Sequence, residues 1–156
     1  MNSATVQGAT TATLTLLNVQ TTQSGNYTVL LTNLASAGVV SSAAVLTVFT
    51  TAEAAADPDG DGFNNLQEFI AGTDPQDPAS YLKIGQFGGT TGARTIQWGA
   101  ISNKTYSVLY ADSLTNAAWL KVADVAARPT NWTAVATDTN ATSAGRFYKL
   151  ATPKQP

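Results

Sequence analysis

"NYTVLLTN", residues 26–33, sets the period of this chain: Tyr27, Val29 and Leu31 alternate with Thr28, Leu30 and Thr32. A period of two sends successive side chains to opposite faces of a strand, so this stretch predicts a strand with one buried face. "SSAAVLTVF" (41–49) does the same with Ala44, Leu46 and Val48, and in "TATLTLLNVQ" (11–20) Leu14, Leu16 and Val19 fall on or near one face. The connectors "TTQSG" (21–25) and "NLASAG" (33–38) hold turn-forming residues. After Pro78 come six more candidates, "YLKIGQF", "RTIQWGA", "KTYSVLYA", "AWLKVADV", "WTAVAT" and "RFYKLAT", separated by Gly, Asn, Asp, Ser and Pro. Short strands at this spacing predict a small sandwich or barrel. The expected class is mainly β.

Composition narrows the chemistry. Charged residues are 12% of the chain, about half the usual share, and there is neither cysteine nor histidine. Disulfides, thiolate metal sites, cysteine nucleophiles and histidine bases are thereby excluded. Residues 1–82 hold seven acids and no Lys or Arg, a charge of −7, while residues 83–156 carry +5. The eight cations are dispersed along strands without a cluster, which argues against a nucleic-acid partner. No apolar run approaches the roughly 20 residues that span a bilayer. Met1-Asn2-Ser3-Ala4 lacks the basic and apolar regions of a signal peptide, so the expectation is a piece of something longer or a chain not exported on its own.

"DPDGDGFNNLQE" (57–68) is the chemical outlier. Counted from Asp57, carboxylates stand at positions 1, 3 and 5 (Asp57, Asp59, Asp61), glycine at 6 (Gly62), a backbone carbonyl at 7 (Phe63), Asn65 at 9 and Glu68 at 12. Calcium takes six to eight hard oxygens, and a loop wound around it presents alternate side chains inward. An acidic turn without an ion is the bland alternative. Three aspartates within five residues repel one another, however, and no cation lies nearby in sequence, so Ca2+ is the better reading. Magnesium suits an all-protein cage poorly. "NNLQEFIAG" then places Leu66, Phe69 and Ile70 on one apolar face of a short helix stopped by Gly72. Such a helix is too short to stand alone in water, and an ion held through Glu68 would nucleate it. Asp74 and Asp77 read as turn caps ahead of Pro75 and Pro78, with a weaker second ion site as the alternative.

These residues carry two resemblances. Residues 14–48, with Ser24-Gly25-Asn26-Tyr27, resemble the last three strands of an I-set-type immunoglobulin domain, including the turn that seats the tyrosine corner. Val29 stands where that pattern has its second cysteine, and nothing before residue 11 supplies the earlier strands, so the resemblance implies a half sandwich completed by the parent chain or a second chain. Asp57-Pro58-Asp59-Gly60-Asp61-Gly62 and Gly72-Thr73-Asp74-Pro75 resemble the single-helix calcium repeats of bacterial thrombospondin type 3 segments and dockerins. The latter normally need a second tandem loop, which is absent. The expected organisation is a partial immunoglobulin-like module over 1–50, a calcium-binding linker over 51–80 and a C-terminal β-sandwich over 81–156.

Function follows as expectation. With no histidine or cysteine and no Ser–Lys motif, an enzyme is not expected. The leading reading is a calcium-binding structural or adhesive segment of a secreted or cell-surface bacterial protein, with calcium rigidifying the joint between two β modules. Its partners would be calcium and another protein or a surface polysaccharide. The alternative is a carbohydrate-binding module on a secreted enzyme, for which Trp98, Trp119 and Trp132 with Tyr106 and Tyr110 would supply stacking surfaces, although such aromatics more often build a core. Asn-x-Thr triplets at Asn26, Asn103, Asn131 and Asn140 are expected by accident in so threonine-rich a chain.

Overall fold

A computed structural model of the chain describes residues 6–33, 36–90, 92–115, 117–142 and 145–156. The chain is mainly β and divides into two compact units, Met1–Ala54 and Ala55–Pro156. In the first, β1 (Val6–Gln7) pairs antiparallel with β2 (Thr15–Leu16). The rest is one interrupted hairpin. Strands β4 (Leu30–Asn33) and β5 (Ser36–Val40) pair with Leu30 opposite Val40 and Leu31 opposite Val39. Strands β3 (Gly25–Tyr27) and β6 (Ala44–Leu46) continue the ladder with Asn26 opposite Val45. Ser41 bridges the two halves: its N–H donates to the Val29 carbonyl at 2.9 Å, and its Oγ accepts from the Val29 N–H at 3.0 Å. The Tyr27 hydroxyl donates to the Gln23 carbonyl at 2.8 Å, tying β3 to the 3₁₀ turn Thr21–Gln23. That is the bond a tyrosine corner makes, linking a strand to backbone a few residues upstream.

Two sequence expectations change here. Residues 36–38, read as part of the turn "NLASAG", begin β5; residues 34 and 35 of that turn lie outside the described residues. Pairing with β4 outweighs the turn propensity of Ser36 and Gly38. Conversely, of the strand expected over 11–20 only Thr15–Leu16 is extended and paired. A strand needs a neighbour for its backbone groups, and here just two residues of β1 provide one.

Helix α1 (Thr51–Ala55) ends the first unit and runs one residue past the division, and the second unit goes on with the acidic loop and helix α2 (Asn65–Ala71). Six strands follow: β7 (Gln86–Thr90), β8 (Gly92–Ala100), β9 (Tyr106–Ala111), β10 (Leu120–Val125), β11 (Trp132–Ala141) and β12 (Phe147–Ala151). They form two three-stranded antiparallel sheets, ordered β11-β8-β7 and β10-β9-β12. Ile96, Trp98, Ala100, Ala134 and Ala136 from the first sheet meet Tyr106 and Val108 from the second in one buried cluster. Alternation explains the first set: along β8 every second residue from Ile96 is buried, and along β11 Ala134, Ala136 and Asp138 are. Strand β9 is buried nearly throughout, as expected of the central strand of its sheet.

Asp138 continues the inward row of β11 and is matched by charge. Arg146 Nη1 donates to Asp138 Oδ2 at 2.9 Å, while its other nitrogens hold both oxygens of Asp112 at 2.7 and 2.9 Å. The guanidinium lies 3.9 Å from the Tyr110 ring centroid, and the Tyr148 hydroxyl donates to the same Asp138 oxygen at 2.8 Å. Burial pulls the Asp138 carboxyl upward, but Arg146, the Asn140 N–H and Tyr148 together leave it below the ordinary aspartate value. The Arg146 hydrogen bond likewise holds Asp112 down, and burial followed by the Asp138 bond pushes Tyr148 up to about 12.

Truncating Ile96, fully buried in this cluster, to Ala is expected to cost the second unit about 2–5 kcal/mol in urea unfolding. The ion network also predicts pH limits at both ends. The lowered aspartates stabilise the fold above the unfolded carboxylate value of about 3.9, and that contribution disappears as pH falls through their lower folded values. The raised Tyr148 stabilises below the unfolded phenol value of about 10, and its contribution disappears as pH climbs through the folded one. In thermal melts across pH, Tyr148→Phe is expected to soften the alkaline fall and Arg146→Met the acid fall.

Candidate metal centre

The acidic loop takes its shape from its own side chains. Asp57 accepts from the Gly60 N–H at 2.9 Å through one oxygen and from the Gly62 N–H at 3.1 Å through the other. Asp59 Oδ1 accepts from the Asp61 N–H at 3.3 Å, and Asp61 Oδ1 from the Phe63 N–H at 2.8 Å. The last two are successive Asx turns, each using one carboxylate oxygen to bend the backbone, while Asp57 spends both of its oxygens on the turn. Gly60 and Gly62 sit at φ +76° and +94°, the left-handed region where a side chain is strained. The Asn65 N–H donates to the Ala56 carbonyl at 2.8 Å and draws the two ends of the loop together.

Helix α2 then starts on a reciprocal cap: Asn64 Oδ1 accepts from the Gln67 N–H and Gln67 Oε1 from the Asn64 N–H, both at 2.9 Å. It ends at Gly72, left-handed at φ +80°, where an added Cβ would come within 2.9 Å of Ile101 Cγ2. One helical turn before that stop, Glu68 points inward. It is only 1% exposed, and one of its oxygens accepts from the Thr73 hydroxyl at 3.2 Å.

Three oxygens remain. Asp59 Oδ2, Asp61 Oδ2 and Glu68 Oε2 are shut off from solvent and accept no hydrogen bond among the described residues. A buried, unsatisfied carboxylate oxygen is costly. The three stand at positions 3, 5 and 12 of the stretch, where each could serve as an oxygen donor to a cation. Ligand oxygens of Asp57, Asp59 and Asp61 lie within 4.8 Å of one another, the span of a coordination sphere with metal–oxygen distances of about 2.3–2.6 Å. Glu68 enters from the helix side. Burial raises its carboxyl above the ordinary glutamate value, the Thr73 bond opposes this, and the Asp59, Asp61 and Asp57 charges add to it. Asp59 is raised as well, by burial and by the charges of its two neighbours, against the bond from the Asp61 N–H. None of the described ion pairs reaches these acids. The set is all oxygen and strongly anionic, which fits a hard dication and offers nothing to a soft one.

The remaining expected ligands have defined places. Phe63 follows Gly62 with its ring stacked on Tyr81, centroids 5.9 Å apart, and Asn65 is half-buried at the start of α2. Asp74 and Asp77 each cap a turn, accepting from the Gln76 and Ala79 N–H groups at 3.1 and 3.0 Å.

The helix face differs from expectation. Leu66, Phe69 and Ile70 stay substantially exposed, while Glu68 and Ala71 are the buried residues of α2. The inward row is thus set by the carboxylate, offset from the apolar stripe. Ile70 and Phe63 still line, with Tyr81, Leu82 and Leu150, a cavity of about 220 Å³. Lys104 reaches from the β8–β9 turn to donate to the Phe69 carbonyl at 2.8 Å. Thr73, Tyr81 and Lys104 are supports that sequence reasoning missed; only Thr73, inside the Gly-Thr-Asp-Pro run, carried a signal.

Two of the five aromatic candidates are withdrawn from the surface. Trp98 and Tyr106 are buried, 5.8 Å apart and edge to face, and Trp132 packs edge-on to Tyr106 at 6.4 Å. Comparison with known proteins found no matching family, no matching curated protein and no matching solved structure.

Calorimetric titration with calcium tests the site directly. One ion per chain is expected, with Asp59→Asn or Glu68→Gln weakening binding by at least about 100-fold, beyond the 10–100-fold typical of an outer-shell partner. Magnesium is expected to compete poorly.

Proposed function

We propose that this chain is a non-catalytic, calcium-binding structural segment of an extracellular or cell-surface protein. The observation that carries this is the Glu68 carboxylate, 1% exposed, with one oxygen unpartnered among the described residues, as is one oxygen of each of Asp59 and Asp61 in the preceding loop. Asp57, Asp59, Asp61 and Glu68 would bind the ion, completed by the Phe63 carbonyl and by Asn65 directly or through water. Calcium bound there would neutralise four acids, fix the loop and hold α2 in place. The segment so ordered begins two residues after the division between the two compact units and leads into the C-terminal sheets. Calcium would therefore stiffen the stretch of chain by which one β unit is attached to the next.

Compartment follows from affinity. A single loop without a paired partner suits the weak sites of extracellular modules, with dissociation constants of roughly 10⁻⁴–10⁻³ M, near the calcium level outside cells. The low charge and abundant threonine agree with that setting. The carbohydrate-binding alternative draws no support from the aromatic residues, since Trp98 and Tyr106 are spent on the core.

Saturation at 10 mM calcium should stabilise the second unit by about 1.4–2.7 kcal/mol, the linkage value for those affinities, and raise its melting temperature by roughly 5–15 °C. Proteolysis near Ala54–Ala56 should slow in parallel. Unchanged melting and cleavage in calcium, or an Asp59→Ala/Glu68→Ala variant that responds as the parent does, would overturn the proposal.

A further inference from the structure

The buried carboxylate of Glu68 is held by a residue outside the acidic loop. Among the described residues, the one hydrogen bond it accepts comes from the Thr73 hydroxyl, 3.2 Å from one of its oxygens, and its other oxygen is unpartnered. Thr73 is itself anchored to Glu68. Its N–H donates to the Glu68 backbone carbonyl at 3.1 Å, beside the Gly72 N–H at 2.6 Å, so the helix end closes on the residue whose side chain the hydroxyl grips. Gly72, left-handed at φ +80°, makes that reversal, with Ile101 and Lys104 packed where a Cβ would stand. On the other side the Asp74 N–H donates to Ser80 Oγ at 3.0 Å and secures the next turn. Thr73 therefore holds Glu68 by backbone and side chain together, from a seat fixed on both flanks.

Such a hold matters because a buried glutamate can settle elsewhere. Its side chain has several rotors, and fixing the carboxylate in one place costs their freedom. Glu68, Thr73 and Thr152 all line the cavity of about 220 Å³ beside α2. Thr152 Oγ1 is shut off from solvent and unpartnered among the described residues, which makes it a second hydroxyl on the wall of the same cavity. The Thr73 bond decides between arrangements of the carboxylate. A hydroxyl donating to a charged oxygen makes one of the stronger hydrogen bonds, and it leaves the other oxygen of the group at a defined place. Residues that orient a metal ligand without touching the metal commonly change affinity by about 10–100-fold.

We propose, resting on the calcium reading above, that Thr73 is a positioning residue of the ion site: its hydroxyl holds the Glu68 carboxylate with one oxygen free for calcium, and the affinity of the site depends on that bond. Thr73→Val exchanges the hydroxyl for a methyl of similar size at the edge of a cavity, so the bond is lost and the volume is kept.

Calorimetric titration of the full chain with calcium chloride tests it, with calcium-free melting recorded for every variant. Thr73→Val and Thr73→Ala are each expected to bind about 10–100-fold more weakly, Thr73→Ser to bind as the wild type does, and Thr152→Val to change nothing. A merely structural role would lower the calcium-free melting temperature of the hydroxyl-less variants and leave their dissociation constants at the wild-type value, which would overturn the proposal. Binding by Thr73→Ser as weak as by Thr73→Val would assign the effect to packing, and an equal loss in Thr152→Val would assign it to the cavity; either sinks the proposal. A wild type that takes up no calcium removes the calcium reading together with this inference, whereas a wild type that binds and a Thr73→Val that binds equally well remove the inference alone.

Discussion

A glutamate almost fully withdrawn from water, in the first turn of α2 after a loop of three aspartates, is the constraint around which the first part of the C-terminal unit is arranged. Burying a carboxylate is unfavourable unless its oxygens are satisfied, and Glu68 has a neutral partner, the Thr73 hydroxyl, for one oxygen only. The aspartates divide their labour in the same way. One oxygen of Asp59 and of Asp61 bends the loop, and the other is left to face inward. The loop is thus pre-shaped by its own hydrogen bonds, so an ion entering it would meet ligands already turned toward it. What it would mainly change is the mutual repulsion of four acids.

That arrangement extends outward through short-range contacts. The Asn64–Gln67 cap and the left-handed Gly72 set where α2 starts and stops, and the stop is reinforced by Ile101 filling the space a Cβ would need. The Phe63–Tyr81 stack and the Lys104 bond to the Phe69 carbonyl then join loop and helix to the C-terminal sheets. A second polar cluster solves the opposite problem. Asp138, buried on β11, is matched by Arg146 and Tyr148 and is held as a carboxylate without help from any ion. The two clusters treat a buried acid differently: Asp138 is paired internally, while Glu68 keeps one oxygen without a partner among the described residues.

Legibility in the sequence followed from locality. Strands β8, β9, β10, β11 and β12 lie where alternating or apolar runs predicted them, because a two-residue period is a property of the strand itself. The helix after the acidic loop was legible from its apolar spacing and its glycine. The inward face of that helix was not. Leu66, Phe69 and Ile70 form the obvious stripe, yet Glu68 and Ala71 are buried. The orientation of α2 is decided by what the loop does with Glu68, and hydrophobic periodicity cannot report a carboxylate that points inward. Strand β5 was hidden for a related reason: Ser36 and Gly38 favour turns, and only the presence of β4 alongside makes them a strand.

By itself the sequence determined the mainly β class, the positions of the loop's acidic residues and the absence of histidine and cysteine chemistry, since each depends on residue type and spacing along the chain. Tertiary structure alone decided that Trp98, Tyr106 and Trp132 are spent on a core and that Arg146 serves two aspartates at once. Those facts rest on which distant segments meet. Burial and pairing are properties of that meeting, and no local pattern of residues encodes them.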